Sequence, residues 1–115
     1  MKMIEAVIRP ERLGDVMEAL AEVEVFRLTV SDVQGFARQK GQTLETGSAR
    51  VETRLQRKIK LEIAVNEEFV EVTLNAIAKA GKTGPKGVVG DGKVFILPLE
   101  DVVRIRTGER GGAAI

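Results

Sequence analysis

The chain has 115 residues, 43% of them hydrophobic and 30% charged, with a formal net charge of +1. That suits one domain with one modest core, and the charge is too small for a general binder of nucleic acid or membrane surfaces. The absence of Cys and His excludes disulfides, thiolate metal centres and thiol nucleophiles, removes the commonest general base, and leaves oxygen ligands to hold any metal such as Mg2+. With no Tyr or Trp either, the toolkit favours binding over covalent catalysis, and the chain is expected not to be an enzyme. No apolar run approaches the roughly 20 residues of a membrane span. Met1-Lys2-Met3-Ile4-Glu5 starts a strand pattern and does not resemble a signal peptide, so a cytoplasmic location is expected.

Residues 2–9 read as a first strand, closed by Pro10, which cannot continue a ladder. Leu13, Val16, Met17, Leu20 and Ala21 repeat at helical spacing and predict a helix over 11–23. Residues 28–33, with β-branched Thr29 and Val30, read as a second strand. Residues 35–55 are polar, carry Gly35, Gly41 and Gly47, and show no sustained period. They read as a long loop, mobile alone and ordered only against a ligand or partner. Residues 58–65 alternate cleanly, with Ile59, Leu61, Ile63 and Val65 toward a core. Asn66 reads as the cap of a helix over 67–80, its stripe made of Phe69, Val70, Thr73, Leu74, Ile77 and Ala78. A glycine-rich loop follows, then a strand over 93–98, a short extended piece over 102–106, and a glycine-rich surface segment over 107–115.

This order, β-α-β, loop, β-α-β, predicts a single α+β domain over 1–115. The expected architecture is a ferredoxin-like βαββαβ sandwich: a four-stranded antiparallel sheet with two helices on one face. The other face would carry Glu5, Arg9, Lys60 and Glu62 among apolar neighbours. A mixed face of this kind is expected to be covered by self-association.

The glycine-rich stretch Thr83-Gly84-Pro85-Lys86-Gly87-Val88-Val89-Gly90-Asp91-Gly92-Lys93 is the strongest candidate site. Glycines let main-chain N–H groups approach an anion, and Lys86 and Lys93 add charge. The competing reading is a plain helix-to-strand connection with Asp91-Gly92 as a turn. Residues 87–93 also have the spacing G-x-x-x-x-G-K, but Val94 stands where Ser or Thr should hold Mg2+, and the loop opens a strand instead of a helix, which argues against a P-loop NTPase. Gln34-Gly35-Phe36-Ala37-Arg38 loosely echoes an RNA-recognition core, but it ends the second strand and the chain has only four Phe as stacking aromatics, so RNA binding is not expected. Arg38, Lys58 and Lys93 converge, in the ferredoxin-like topology, around the roots of two loops. Such a trio suits a polyanion such as a nucleotide triphosphate, each charge-assisted hydrogen bond contributing roughly 1.5–3 kcal/mol.

Three stretches together resemble the PII signal-transduction proteins: Gly35-Phe36-Ala37-Arg38-Gln39-Lys40-Gly41, the Thr-Gly…Gly-Asp-Gly-Lys loop, and Arg104-Ile105-Arg106-Thr107-Gly108-Glu109-Arg110-Gly111. The likeness runs from Lys2 to Ile115. It implies a cytoplasmic homotrimer that binds ATP or ADP in clefts between neighbours. By that resemblance the nucleotide-binding residues are Thr29, Gly35, Ala37, Arg38, Gln39, Glu62, Ala64, Thr83, Gly90, Asp91, Gly92, Lys93, Arg104 and Arg106. Thr29, Glu62 and Ala64 serve the adenine side. Arg38, Lys93 and the backbone of 90–92 hold the phosphates, and Arg104 and Arg106 reach the phosphates of a nucleotide lodged against a neighbour. ATP with Mg2+, to which Gln39 supplies an oxygen, creates a site for 2-oxoglutarate among Gln39, Lys40, Gly41, Lys58 and Gly90. The loop over 37–55 corresponds to the family's T-loop, which docks on ammonium transporters or on enzymes and regulators of nitrogen assimilation. Residues 81–93 correspond to its B-loop and 104–115 to its C-terminal loop.

The chain departs from the family's pattern in three places. Thr46-Gly47-Ser48-Ala49-Arg50-Val51 replaces a tyrosine-bearing run, so tyrosine modification is excluded; Ser48 reads as a solvated loop serine more than as a phosphorylation site. The glycine loop is about three residues longer than is usual in the family. Ala37 stands in place of a common glycine. The altered T-loop motivates an alternative expectation, a PII-like nucleotide sensor redirected to another metabolite or to a carbon- or metal-transport partner.

Overall fold

In the computed structural model, which describes the backbone of residues 1–42 and 49–115 and the side chains of 1–36 and 54–115, the alternating run at 58–65 lies inside a four-stranded sheet. The strands are β1 (Lys2–Ile8), β2 (Thr29–Gln42), β3 (Ala49–Val65) and β4 (Gly92–Pro98). Their order is β2-β3-β1-β4 and every pairing is antiparallel. Helices α1 (Leu13–Glu22) and α2 (Val70–Gly81) supply the second layer. This is the expected ferredoxin-like arrangement, with β4 pairing with β1 at the sheet's edge.

Period-2 patterning divides the sheet into two faces. Ile4, Ala6 and Ile8 of β1 and Ile59, Leu61 and Ile63 of β3 are buried with Val16 and Leu20 of α1 and Ile77 of α2. Each such side chain contributes roughly 1.5–3 kcal/mol when fully buried. Register puts the opposite set in rows. Phe95, Glu5, Glu62 and Thr29 lie in line across the four strands, and Lys93, Val7, Lys60 and Ser31 form the next row. Phe95 and Leu97 remain 49% and 40% exposed on this open face.

The structure corrects several local expectations. Residues 35–42 and 49–55, read as loop, are strand: the β2–β3 ladder continues from Gly35↔Gln56 to Gln42↔Ala49. Ladder hydrogen bonds join main-chain groups and need no side-chain alternation, so the strand forms here without a period of two. The middle of the expected loop, including Gly47 and Ser48, lies outside the described residues, and so does its expected mobility there. Residues 11–12 belong to a 3-10 turn (Pro10–Arg12) that leads into α1. Met17, Ala21, Phe69 and Ala78, assigned to helix stripes, are exposed, because Val16, Leu20, Thr73 and Ile77 point at the sheet's centre line.

Asn66 makes no side-chain cap; its main-chain oxygen accepts from Phe69 N at 2.9 Å. Its Nδ2 instead donates to the Gly112 carbonyl at 3.1 Å, across to the far end of the chain. The extended piece expected over 102–106 reduces to one bridge, Val103↔Arg110. From there the chain reverses, with Arg104 N donating to Glu109 O and Gly108 N to Arg104 O. Nor is 107–115 wholly surface, since the 3-10 turn Gly111–Ala114 buries Ala114.

Candidate functional site

The glycine loop between α2 and β4 takes its shape from a single carboxylate. Gly84, Gly87, Gly90 and Gly92 all adopt positive φ, between 66° and 107°, a region that costs other residues roughly 1–2 kcal/mol. Asp91 gathers the loop around itself. Its Oδ2 accepts from Thr83 N at 3.0 Å and Val88 N at 2.8 Å, and its Oδ1 accepts from Thr83 Oγ1 at 2.7 Å. Arg9, just past β1, donates from Nε to Asp91 Oδ1 and from Nη2 to the Val89 carbonyl, both at 3.0 Å. Lys58 of β3 donates to the Gly90 carbonyl at 2.6 Å. The loop is therefore tied to both central strands. Arg9, expected on the open face of the sheet, turns toward the loop instead.

Hydrogen bonds from Thr83 and Val88, with the Arg9 guanidinium beside them, hold the Asp91 carboxyl well below the usual carboxylate range. A depressed folded-state value means that the carboxylate's contribution is intact above the unperturbed value of about 3.9 and is lost as pH falls through the lower folded one. The Thr83 and Val88 amide resonances should accordingly keep their positions from pH 7 down to about pH 4 and move only below it. Movement centred above that point would contradict the hub assigned to Asp91.

The loop borders one cavity, and a second shares no lining residue with it. The first, about 440 Å³, is lined by Gly35, Lys58, Gly90, Gly92 and Lys93, with Val7, Phe36, Gln56 and Phe95. The second, about 500 Å³, is lined by Thr29, Glu62, Ala64 and Arg104, with Phe26, Arg27, Leu28, Val102, Ala114 and Ile115. Gly90, Gly92 and Lys93, expected at the phosphates, line the first cavity; Thr29, Glu62 and Ala64, expected on the adenine side, line the second together with Arg104, which was expected at phosphates. On β3, Lys58 and Glu62 are four residues apart, roughly 13 Å of strand. Lys60, ion-paired to Glu62 at 3.8 Å, stands between them.

Other assigned residues fall elsewhere. Thr83 and Asp91 build the loop and do not line its cavity. Arg106 is exposed in the turn after Arg104, beside a fully exposed Ile105, and lines neither cavity. Ala37, Arg38, Gln39, Lys40 and Gly41 lie on the β2 backbone, opposite Arg54, Thr53, Glu52, Val51 and Arg50; their side chains are outside the described residues. Among the described residues no group of three or more acidic side chains could hold a metal.

The donor set fits an anionic nucleotide. Lys58 and Lys93 flank the glycine backbone at the first cavity. Arg104 and Glu62 sit beside apolar Ala64 and Phe26 at the second, a combination suited to a base and a ribose. The sequence reading missed Arg9, Phe26 and Arg27. Arg9 has a detectable signal, a cation directly before the strand-ending Pro10. Phe26 and Arg27 have none, because nothing local ties them to a segment some ninety residues further along.

Comparison with known proteins agrees with this architecture. The family model for nitrogen regulatory protein P-II matches residues 1–109. The nitrogen regulatory protein GlnK1 of Methanosarcina mazei is 52% identical over 115 residues, covering 100% of this chain and 97% of its own. Nitrogen regulatory protein P-II of Azospirillum brasilense is 46% identical over the full length of both. The solved structure of Bacillus subtilis GlnK, "Structure of B. subtilis GlnK", superposes with a TM-score of 0.81 at 31% identity, covering 99% of this chain and 97% of that one. No helix among the described residues is long and apolar enough to cross a membrane. Two helices on an antiparallel sheet, an Asp-centred glycine loop and full-length similarity converge on one conclusion: this chain belongs to the nitrogen regulatory protein P-II family of regulatory, non-enzymatic signal transducers.

Proposed function

We propose that this protein is a cytoplasmic homotrimer that senses ATP or ADP together with 2-oxoglutarate and reports on nitrogen status to protein targets through residues 37–55. The observation that supports the proposal is a pair of separate cavities, one lined by Lys58, Lys93 and the glycine loop and the other by Thr29, Glu62, Ala64 and Arg104. A nucleotide between copies would set its base against Thr29, Glu62 and Ala64 of one chain and its phosphates against Lys93 and the glycine loop of the next. Arg104 would extend from the base half toward those phosphates, with Arg106 nearby. The exposed Phe95 and Leu97 on the sheet's open face supply apolar surface for the association. Mg2+ would be held by the phosphates with Gln39.

Lys58 links nucleotide to effector. Its ammonium group holds the Gly90 carbonyl, at the edge of the cavity that 2-oxoglutarate would enter alongside Gln39, Lys40 and Gly41. An incoming carboxylate exchanges a neutral acceptor for a charged one, which makes a shorter and stronger hydrogen bond. Each ligand can shift the hairpin between conformations only by its differential affinity for them. A swing from 1:99 to 99:1 needs about 5.5 kcal/mol, within reach of two or three charge-assisted contacts.

Targets would be ammonium transporters or enzymes and regulators of nitrogen assimilation. The tyrosine-free run 46–51 favours a second reading, a sensor of another metabolite serving a carbon- or metal-transport partner. Calorimetry with Mg-ATP, with and without 2-oxoglutarate, separates the two. Strict dependence of 2-oxoglutarate binding on Mg-ATP is expected, in a trimer by sedimentation. Mg-ATP binding without any 2-oxoglutarate effect favours the second reading, and a monomer at working concentration removes the shared cleft.

A further inference from the structure

The geometry points to Arg27 as a positioning residue for the nucleotide half-site: it clamps the turn Gly111–Ala114 so that the turn, in its place, orients the Arg104 guanidinium. The inference rests on the nucleotide reading above and goes beyond it, because Arg27 contacts neither base nor phosphate in that scheme.

Two arginines of the same cavity hold one short turn and the residue that ends it. Arg27, two residues before Thr29, donates from Nη1 to the main-chain oxygen of Ile115 at 2.8 Å. Arg104 donates from Nη2 to the Ala113 carbonyl at 3.1 Å, and its Nη1 pairs with Glu109 Oε1 at 2.8 Å. The turn is seated as well as gripped. Ala114 is buried, Asn66 Nδ2 holds the Gly112 carbonyl, and Asp101 Oδ1 accepts from Gly111 N at 3.1 Å. Gly112 approaches Asn66 so closely that a Cβ there would lie 2.5 Å from Oδ1. The Ala113 carbonyl and the Glu109 carboxylate fix the plane of a guanidinium that has five N–H donors, and the remaining donors can face a ligand oxygen. If Arg27 lets go, Ile115 loses its tie to the segment before β2, and the Ala113 carbonyl two residues earlier defines the direction of Arg104 less tightly.

The test is a double-mutant cycle on the full chain, read as Mg-ATP affinity by calorimetry. Arg27→Ala should weaken binding about tenfold, and Arg27→Lys should recover most of it, because an ammonium can still reach a main-chain oxygen. Arg104→Ala should weaken binding at least as much as Arg27→Ala, and adding Arg27→Ala to it should change affinity less than about twofold, because the two residues act as one unit. The thermal midpoint of Arg27→Ala should stay within a few degrees of the parent's. Parent-like affinity for Arg27→Ala, or losses that multiply in the double variant, would overturn the inference while leaving the nucleotide reading intact. A parent chain that does not bind Mg-ATP overturns both.

Discussion

Gly92→Ala is expected to destabilise the fold by about 3 kcal/mol, through backbone strain combined with loss of β1–β4 pairing. Gly92 has a φ of 107°, and an ideal Cβ would lie 1.8 Å from the Val7 carbonyl oxygen and 2.9 Å from its carbon. The obstacle is backbone of the central strand, which cannot rotate aside as a side chain can. β4 must peel away from β1 at the Ile8↔Gly92 pair, or the loop must take another path. Gly84→Ala is the matched control. Its φ of 66° brings the same class of strain, but nothing lies within 4 Å of the added methyl, so roughly 1 kcal/mol is expected. Urea midpoints at one fixed protein concentration compare the two, since stability in an oligomer depends on concentration. Equal losses would show that left-handed strain, and not the close approach to Val7, accounts for the effect.

The second large effect is expected at Asp91→Asn, which should lower Mg-ATP affinity on the order of a hundredfold while shifting the urea midpoint little. The carboxylate accepts at both oxygens: from Thr83 Oγ1 and Arg9 at Oδ1, and from Thr83 N and Val88 N at Oδ2. An amide has one acceptor atom and two N–H donors, so one end of the substituted side chain would point donors at donors. Whichever way the amide turns, the variant breaks either the tie to Arg9 or the tie to the two loop amides. The loop lies at the surface and contributes no side chain to the hydrophobic core, so the fold should tolerate what the site does not. Affinity within threefold of the parent would mean that the phosphate cradle forms without its hub. A collapse of the urea midpoint would mean that Asp91 serves the fold rather than the site.

The contrast between these two residues shows what was legible beforehand. Asp91 and Gly92 stand out in the sequence as a turn dipeptide inside a glycine-rich stretch. Which of them limits the fold and which organises the site depends on Val7 and Arg9, more than eighty residues earlier. The long hairpin was not legible at all. Residues 35–42 and 49–55 pair through main-chain hydrogen bonds, which need no alternation of side chains and so leave no period of two in the sequence. Asn66 misled for a related reason. Its type and place suit a helix cap, but a side-chain amide bonds whichever partner arrives, and here the Gly112 carbonyl does.

By itself, the sequence determined the two-layer core. The apolar run of β1, the period of two in β3 and the period of 3.6 in α1 and α2 together bury Ile4, Leu61, Ile63, Val16 and Leu20. It also determined the glycine loop and the cations available to bind a phosphate, because those depend on residue type alone. Only the tertiary structure decided that Asp91 folds that loop, that Lys93 and Glu62 line separate cavities, and that Arg27 holds the chain at Ile115. Each of these rests on hydrogen bonds between groups far apart in the chain, and such bonds leave no periodicity for local patterning to reveal.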